Sequence, residues 1–516
     1  MILAALGYLA ASQHRHTLGS ENPPPPSPYD TPKDLTPGVV NFKYHVRQTK
    51  GDIEISQELS WVPGQKPWIL KNRIVVKTGN DDDVIHVSNG PGKQIQITVN
   101  GNVFKVDTES KKGPQPGLWI DAKGGSDKVT IDQDVMLRVD VDGGDGDDDI
   151  QAGGGRSRLY GQAGNDTLRL GSGLGYAEGN EGDDTLIGGS GNGVMYGNNG
   201  NDRLYAGAGG KHKQSYLDGG NGNDQLYAGN GHSVLHGGNG DDDLVGHDRT
   251  TFYTGKGQDR IRKNQAHDRI YAKINDQFNR NVGSSFTPVS TSNAGERGFT
   301  VTGDEDFKQR VADDFEFMRS SPNGQKVLAE MDALADTNGG KVVIEPIGFG
   351  GTDYVFGSKA LDALRAGGEG KIDGSTYGRI TDGVAGSRAD RGRIRYDAPS
   401  IIEEENGNTI VPMTGLYHEM AHAWNGAKGT FLGGSSKADD PSVKDDSGSE
   451  DSTYNFEYQV IGIPNSATPF DLDDDPSTPP TTVNPKHLTE NALNEEMGKP
   501  LRKAHRLTPS RQGNGQ

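Results

Sequence analysis

The sequence predicts a multidomain chain in which a parallel β-roll is followed by an α+β domain. Three observations lead to that reading. A glycine-rich unit of nine residues recurs from Gly143 to about Arg262, the apolar period changes near Phe299, and two histidines stand four apart in GLYHEMAHAWNG at 415 to 426. The length of 516 residues exceeds one ordinary core, and 76 glycines beside only 31% hydrophobic residues point to a repeat architecture.

The N-terminal stretch MILAALGYLAAS resembles a signal peptide but lacks the basic segment that normally precedes the apolar run. It is read as a packing segment which, with the Pro-rich linker ENPPPPSPYDTPKD, makes up residues 1 to 35. Residues 36 to 142 read as a β-rich region with degenerate repeats. A formal net charge of -19 argues against a nucleic-acid partner, since phosphate binding needs clustered Lys and Arg. No apolar run reaches the roughly 18 residues of a membrane span. With no cysteine in the chain, any metal must sit on His, Asp, Glu or carbonyl oxygens.

The roll is assigned to residues 143 to 270 on units such as GGDGDDDIQ, GNEGDDTLI and GGNGDDDLV. Glycine permits the positive φ of a tight turn, the sixth residue supplies a carboxylate, and the aliphatic eighth faces inward from a short strand. Ile150, Leu159, Leu168, Leu186, Met195, Leu204, Leu226, Leu235 and Leu244 keep that inward register. The sixth-position aspartates Asp148, Asp166, Asp184, Asp202, Asp224, Asp242 and Asp259 occur only in every second unit. Ser157, Gly175, Gly193, Ser215 and Ser233 stand between them. One coil uses two units, so the carboxylates stack along one edge, where hard oxygen-seeking calcium ions are expected. Weaker coils around Asp127 and Asp81 extend the pattern upstream, the insertion GGKHKQ lengthens a turn on the Asp-free edge, and residues 271 to 298 read as a polar linker.

From 299 to 508 the pattern is that of mixed helices and strands, with 509 to 516 as a tail. Helices are expected over EDFKQRVADDFEFMRSS and GQKVLAEMDALAD, and strands at GKVVIEPI and RGRIRYDA. Pro412 and Thr414 suit a helix start and Gly426 a stop, so 414 to 425 read as a helix that buries Leu416, Met420, Ala423 and Trp424. His418 and His422 then project from one face toward a single zinc ion. Glu419, about 100° away around the helix, meets the attacking water instead and serves as general base. A catalytic zinc takes three protein ligands. The metzincin pattern is excluded, because Asn425 and Lys428 stand where it needs glycine and histidine. Glu457, alone in the apolar segment TYNFEYQVIGIP, is the expected third ligand, with Glu450, Asp451 and Glu490 as alternatives.

The nonads resemble the haemolysin-type calcium-binding repeats of bacterial RTX proteins. The segments LYHEMAHAWNG, FEYQVIGIP and NPKHLTENALNEEMGKPLRKAHR resemble the NleD-like zinc metallopeptidases, effectors injected into host cells by type III secretion. This resemblance implies a zincin-like metallopeptidase domain, zinc on His418, His422 and Glu457, Glu419 as base, and a host protein substrate of the mitogen-activated protein kinase class. It also implies a secreted protein delivered into a host cell. Asn494 and His505 stand where the family tail carries Arg and Tyr, so His505 would take over the oxyanion or substrate contact of that Tyr. The competing reading is a calcium-dependent binding or adhesion protein with an inactive metal-binding C-terminal domain.

Overall fold

The computed structural model describes residues 27–338, 340–347, 351–367, 370, 372–404, 408–437 and 452–504. Glu450, Asp451 and His505 lie outside the described residues, as does the N-terminal apolar stretch.

Two sheets, of 13 and 12 strands, face each other to form the roll. An antiparallel arrangement of Asn41–Lys50, Ile53–Val62 and Trp68–Lys77 opens the first sheet. Parallel pairing then runs from Arg73 with Gly117 to Ala272 with Pro288. Parallel strands buried between two sheets need an apolar residue at each inward position. Ile150, Leu168, Leu186, Leu204, Leu226, Leu244 and Ile261 pair in unbroken register down one sheet. Leu159, Ala177, Met195, Leu217, Leu235, Phe252 and Ile270 do so down the other. All of these are buried, each large one contributing about 1.5–3 kcal/mol.

Two expectations about the roll need correction. The stretch 271 to 298, read as a linker, continues the roll through strands Arg269–Ala272, Gln277–Phe278 and Ser285–Pro288. Its turns lack the nonad glycines, yet Asp276 still accepts from the Asp259 amide, and Phe278 packs edge-on against Phe286 at the end of the core. Upstream, the stacked carboxylate is Asp83, whose backbone N–H donates to Asp127 Oδ1, and not Asp81. The inward residue follows the ladder aspartate by two, and only Asp83 is so placed, before buried Ile85.

The C-terminal domain holds a four-stranded sheet ordered Phe299–Val301, Val342–Pro346, Arg393–Tyr396, Asp353–Val355, parallel except for the last edge strand. Around it lie α1 (Glu305–Ser320), α2 (Pro322–Asn338), α3 (Lys359–Arg365), α4 (Pro412–Lys428), α5 (Asn455–Ile461) and α6 (Glu490–Met497). No helix among the described residues is long and apolar enough to cross a membrane.

The domain packs directly on the outer face of the first sheet. Tyr160, Tyr176, Tyr196 and Tyr216 form a tilted ladder there with centroids 5.9, 5.8 and 5.6 Å apart. Phe317 of α1 packs on Tyr216 and Tyr253, and the Arg310 guanidinium lies 3.3 Å from the Tyr196 ring centroid. These aromatics share one core with Met413, Leu416 and Tyr417 of α4. The roll and α4 are thus joined through one shared buried core.

Candidate functional site

Helix α4 starts with Pro412 at its first turn, where the missing N–H costs nothing, and ends at Gly429 with φ 73°. Gly426 does not stop it, contrary to expectation. Its role is spatial, since a Cβ there would collide with the Tyr354 hydroxyl. The expected stripe Leu416, Met420, Ala423 and Trp424 is buried, and Trp424 Nε1 donates to Glu330 Oε2 of α2 at 2.7 Å.

His418 and His422 leave one face of α4 and meet Glu457 of α5. Glu457 Oε2 lies 3.3 Å from His418 Nε2 and 3.1 Å from His422 Nε2. Ligand atoms of the three residues all fall within 4.8 Å of one another. Two imidazole nitrogens and a carboxylate oxygen at this spacing suit a catalytic zinc with an open position. The electrostatics agree with a cation. Burial would lower the His418 pKa, but hydrogen bonds to Glu457 and Glu490 push it up to about 10. A metal ion at the same place would serve in place of that proton.

Glu490, an alternative ligand in the sequence reading, sits behind His418 instead. Its Oε2 accepts from Nδ1 at 2.9 Å and from Arg502 Nη1 at 2.5 Å. Burial would raise the Glu490 pKa, but Arg502 and His418 hold it down to about 2. The carboxylate therefore fixes a proton on Nδ1, so that Nε2, which faces Glu457 and His422, is the atom that would meet a metal ion. Arg502 also pairs with Glu404 at 3.2 Å. Sequence reasoning missed this supporting role, since nothing in the spacing of residues 418, 490 and 502 marks it.

Glu419 is 9% exposed and lines a cleft of about 640 Å3 together with the three clustered residues. Burial pushes its carboxyl up to about 7, against the opposing pull of His422 and His418. The edge strand Asp353–Val355 contributes to the cleft, as do Ile402 and Ile410. The loop carrying these isoleucines is fastened to the roll: Arg156 Nη2 donates to the Ile401 carbonyl at 2.5 Å, and Asn192 Nδ2 donates to Thr409 Oγ1 at 2.8 Å. Phe456 packs against His422 at 5.7 Å. Asn494, the departure from the family tail, is buried in α6.

The aspartate edge is built on a single repeated contact. The backbone N–H of each aspartate donates to Oδ1 of the next, from Asp148 to Asp166 at 2.7 Å through Asp184, Asp202 and Asp224 to Asp242. The other oxygen, Oδ2, of all six is buried without a protein partner. Burial, with neighbouring carboxylates adding to it, pushes Asp184 and Asp202 up to about 8 and Asp148 to about 7. Orphaned buried carboxylate oxygens in a row fit hard cations such as calcium. A Cβ at Gly143, Gly161, Gly179, Gly197, Gly219 or Gly237 would strike these Oδ2 atoms, so the first glycine of each unit clears the space. On the opposite edge Ser157, Gly175, Gly193, Ser215 and Ser233 bring no carboxylate, and Leu170 fills the space beside Gly175.

No curated protein and no solved structure matches the chain. Residues 142–175, 178–210 and 218–248 match the family model of the RTX calcium-binding nonapeptide repeat. Residues 295–505 match that of the M91 peptidases, described as an effector protein. The chain thus joins a roll whose coils match RTX calcium-binding repeats to a C-terminal region that matches the M91 effector family.

Proposed function

We propose that the protein is a secreted zinc-dependent endopeptidase that cleaves a host protein, its roll held by calcium ions on Asp148, Asp166, Asp184, Asp202, Asp224 and Asp242. The observation that carries the reading is the convergence of His418, His422 and Glu457 on one point of the cleft, with Glu419 beside them. These three residues would hold the metal. Zinc held there would supply a Lewis acid that brings the pKa of water to about 7.

The rest of the chemistry belongs to the chain's own side chains. Glu419 takes a proton from the water as its oxygen bonds to the peptide carbonyl carbon, and returns it to the amine nitrogen as the C–N bond breaks. Glu490, held by Arg502, keeps a proton on His418 Nδ1, so that Nε2 would be the nitrogen available to hold the metal. The edge strand Asp353–Val355 offers backbone groups to which an extended substrate segment adds as a further strand. Asp353 and Tyr354 of that strand line the same cleft as Glu419.

The resemblance to NleD-like effectors makes a mitogen-activated protein kinase the substrate class to test first. New protein termini are mapped in host lysate treated with wild type or Glu419→Gln. Termini present only with wild type, including sites in such kinases, support the full reading. Termini confined to other proteins keep the peptidase and discard the kinase. Identical termini from both proteins remove the peptidase and favour a calcium-dependent binding protein.

A further inference from the structure

The ladder of aspartates changes character at one end. Asp259 continues it, accepting from the Asp242 amide at 3.0 Å. Unlike the Oδ2 atoms of the six preceding aspartates, that of Asp259 has a partner, the Lys273 ammonium at 2.6 Å. The same ammonium donates to the Gly255 carbonyl and lies 3.3 Å from Asp276 Oδ1. Its surroundings are therefore two carboxylates from successive coils and a backbone carbonyl, all oxygen.

The position of Lys273 in the repeat explains how it reaches there. Thr251 pairs with Arg269 and Tyr253 with Tyr271, so continuing the register brings Lys273 opposite Gly255. Gly255 pairs in turn with Gly238, and Gly238 with Gly220. Lys273 thus stands where the preceding coils carry the second residue of the nonad. The well-clearing glycine is also lost, because Thr254 takes its place five residues before Asp259 and donates to Asp276 Oδ2 at 2.7 Å.

We propose that the space between Asp259 and Asp276 is the terminal cation site of the ladder, filled by the Lys273 ammonium, so that calcium binding stops at Asp242. An ammonium and a calcium ion both answer a carboxylate and carbonyl oxygens with positive charge. Only the ammonium is covalently held, so this coil keeps its cation at any calcium concentration. The Asp-free edge uses a similar device. Lys213, in the turn lengthened by the insertion, is buried and donates from Nζ to the carbonyls of Gly189, at 2.6 Å, and of Ala206.

Calcium bound per full-length chain is counted by calorimetric titration for wild type, Lys273→Ala, Asp259→Asn and Lys273→Ala with Asp259→Asn. The expected result is one additional calcium in Lys273→Ala, no change in Asp259→Asn, and loss of the added ion in the double variant. Loss of one calcium in Asp259→Asn alone would show that calcium displaces the lysine, and overturns the proposal. An unchanged count in Lys273→Ala would reduce the lysine to an ordinary ion pair and overturns it equally. Melting temperature guards against a folding defect. Lys273→Ala should melt below wild type in chelator and regain the difference in calcium, and a deficit that calcium does not restore counts against the proposal.

Discussion

The roll and the peptidase domain both concentrate carboxylates in buried places, but they organise them in opposite ways. In the roll, one residue type recurs at one register position, and each aspartate contacts the next through the same 2.7 or 2.8 Å bond from Asp148 to Asp242. In the peptidase domain the carboxylates differ in role, with Glu457 facing two Nε2 atoms, Glu490 fixing a tautomer and Glu419 opening on the cleft. Repetition produces a row of equivalent sites whose loss is gradual. Convergence produces one site in which each residue has a separate task and a separate mutant phenotype.

The sharpest way to break this contrast is at Glu419. Replacing it with Gln should lower cleavage by about 10²–10⁴-fold while zinc content stays at the wild-type level. A variant with normal turnover would mean that Glu419 has no proton-transfer role. Next in size is the core of the roll, where Leu186→Ala should cost about 2–5 kcal/mol, read from denaturant unfolding in calcium. Glu490→Gln should then lower zinc affinity by about 10–100-fold, since the proton on His418 Nδ1 loses its carboxylate acceptor. Equal zinc affinity would separate Glu490 from the site.

The ladder supplies a pH test. Asp184 and Asp202 have folded pKa values near 8, raised by burial from 3.8, so in chelator the folded roll holds protons that the unfolded chain releases. Stability without calcium should be highest below about pH 4 at these groups and fall as pH rises toward 8. Calcium, which binds the carboxylate form, should reverse the slope. Melting curves at pH 5 and pH 8 in chelator and in calcium check the sign, and Asp184→Asn should flatten it. The smallest effect belongs to the other edge. Ser157→Ala should leave calcium binding unchanged, whereas Asp184→Ala should weaken it clearly, as calorimetry would show.

These two organisations also differ in how far they could be read from the sequence. Register repeats every coil, so the inward leucines and the single aspartate edge were legible from period alone. Helix α4 and the clustering of His418, His422 and Glu457 were legible because the histidine spacing is local and Glu457 breaks an apolar segment. The end of the roll was not, because Lys273 and Thr254 replace the glycines that announce each turn. The support of His418 by Glu490 and Arg502 was hidden by separations of 72 and 84 residues. The docking of the two domains did leave a trace. Tyr160, Tyr176, Tyr196, Tyr216, Tyr253 and Tyr271 each stand next to an inward residue, so their strands carry apolar surface on both faces and require a cover.

The central claim is that one metal centre, made by His418, His422 and Glu457, lies at the base of the cleft. Anomalous scattering at the zinc absorption edge from crystals of the full chain grown with zinc and calcium tests it most directly. One zinc peak within bonding distance of His418 Nε2, His422 Nε2 and Glu457 is the predicted result. A zinc peak elsewhere, or none between these three side chains, would contradict it.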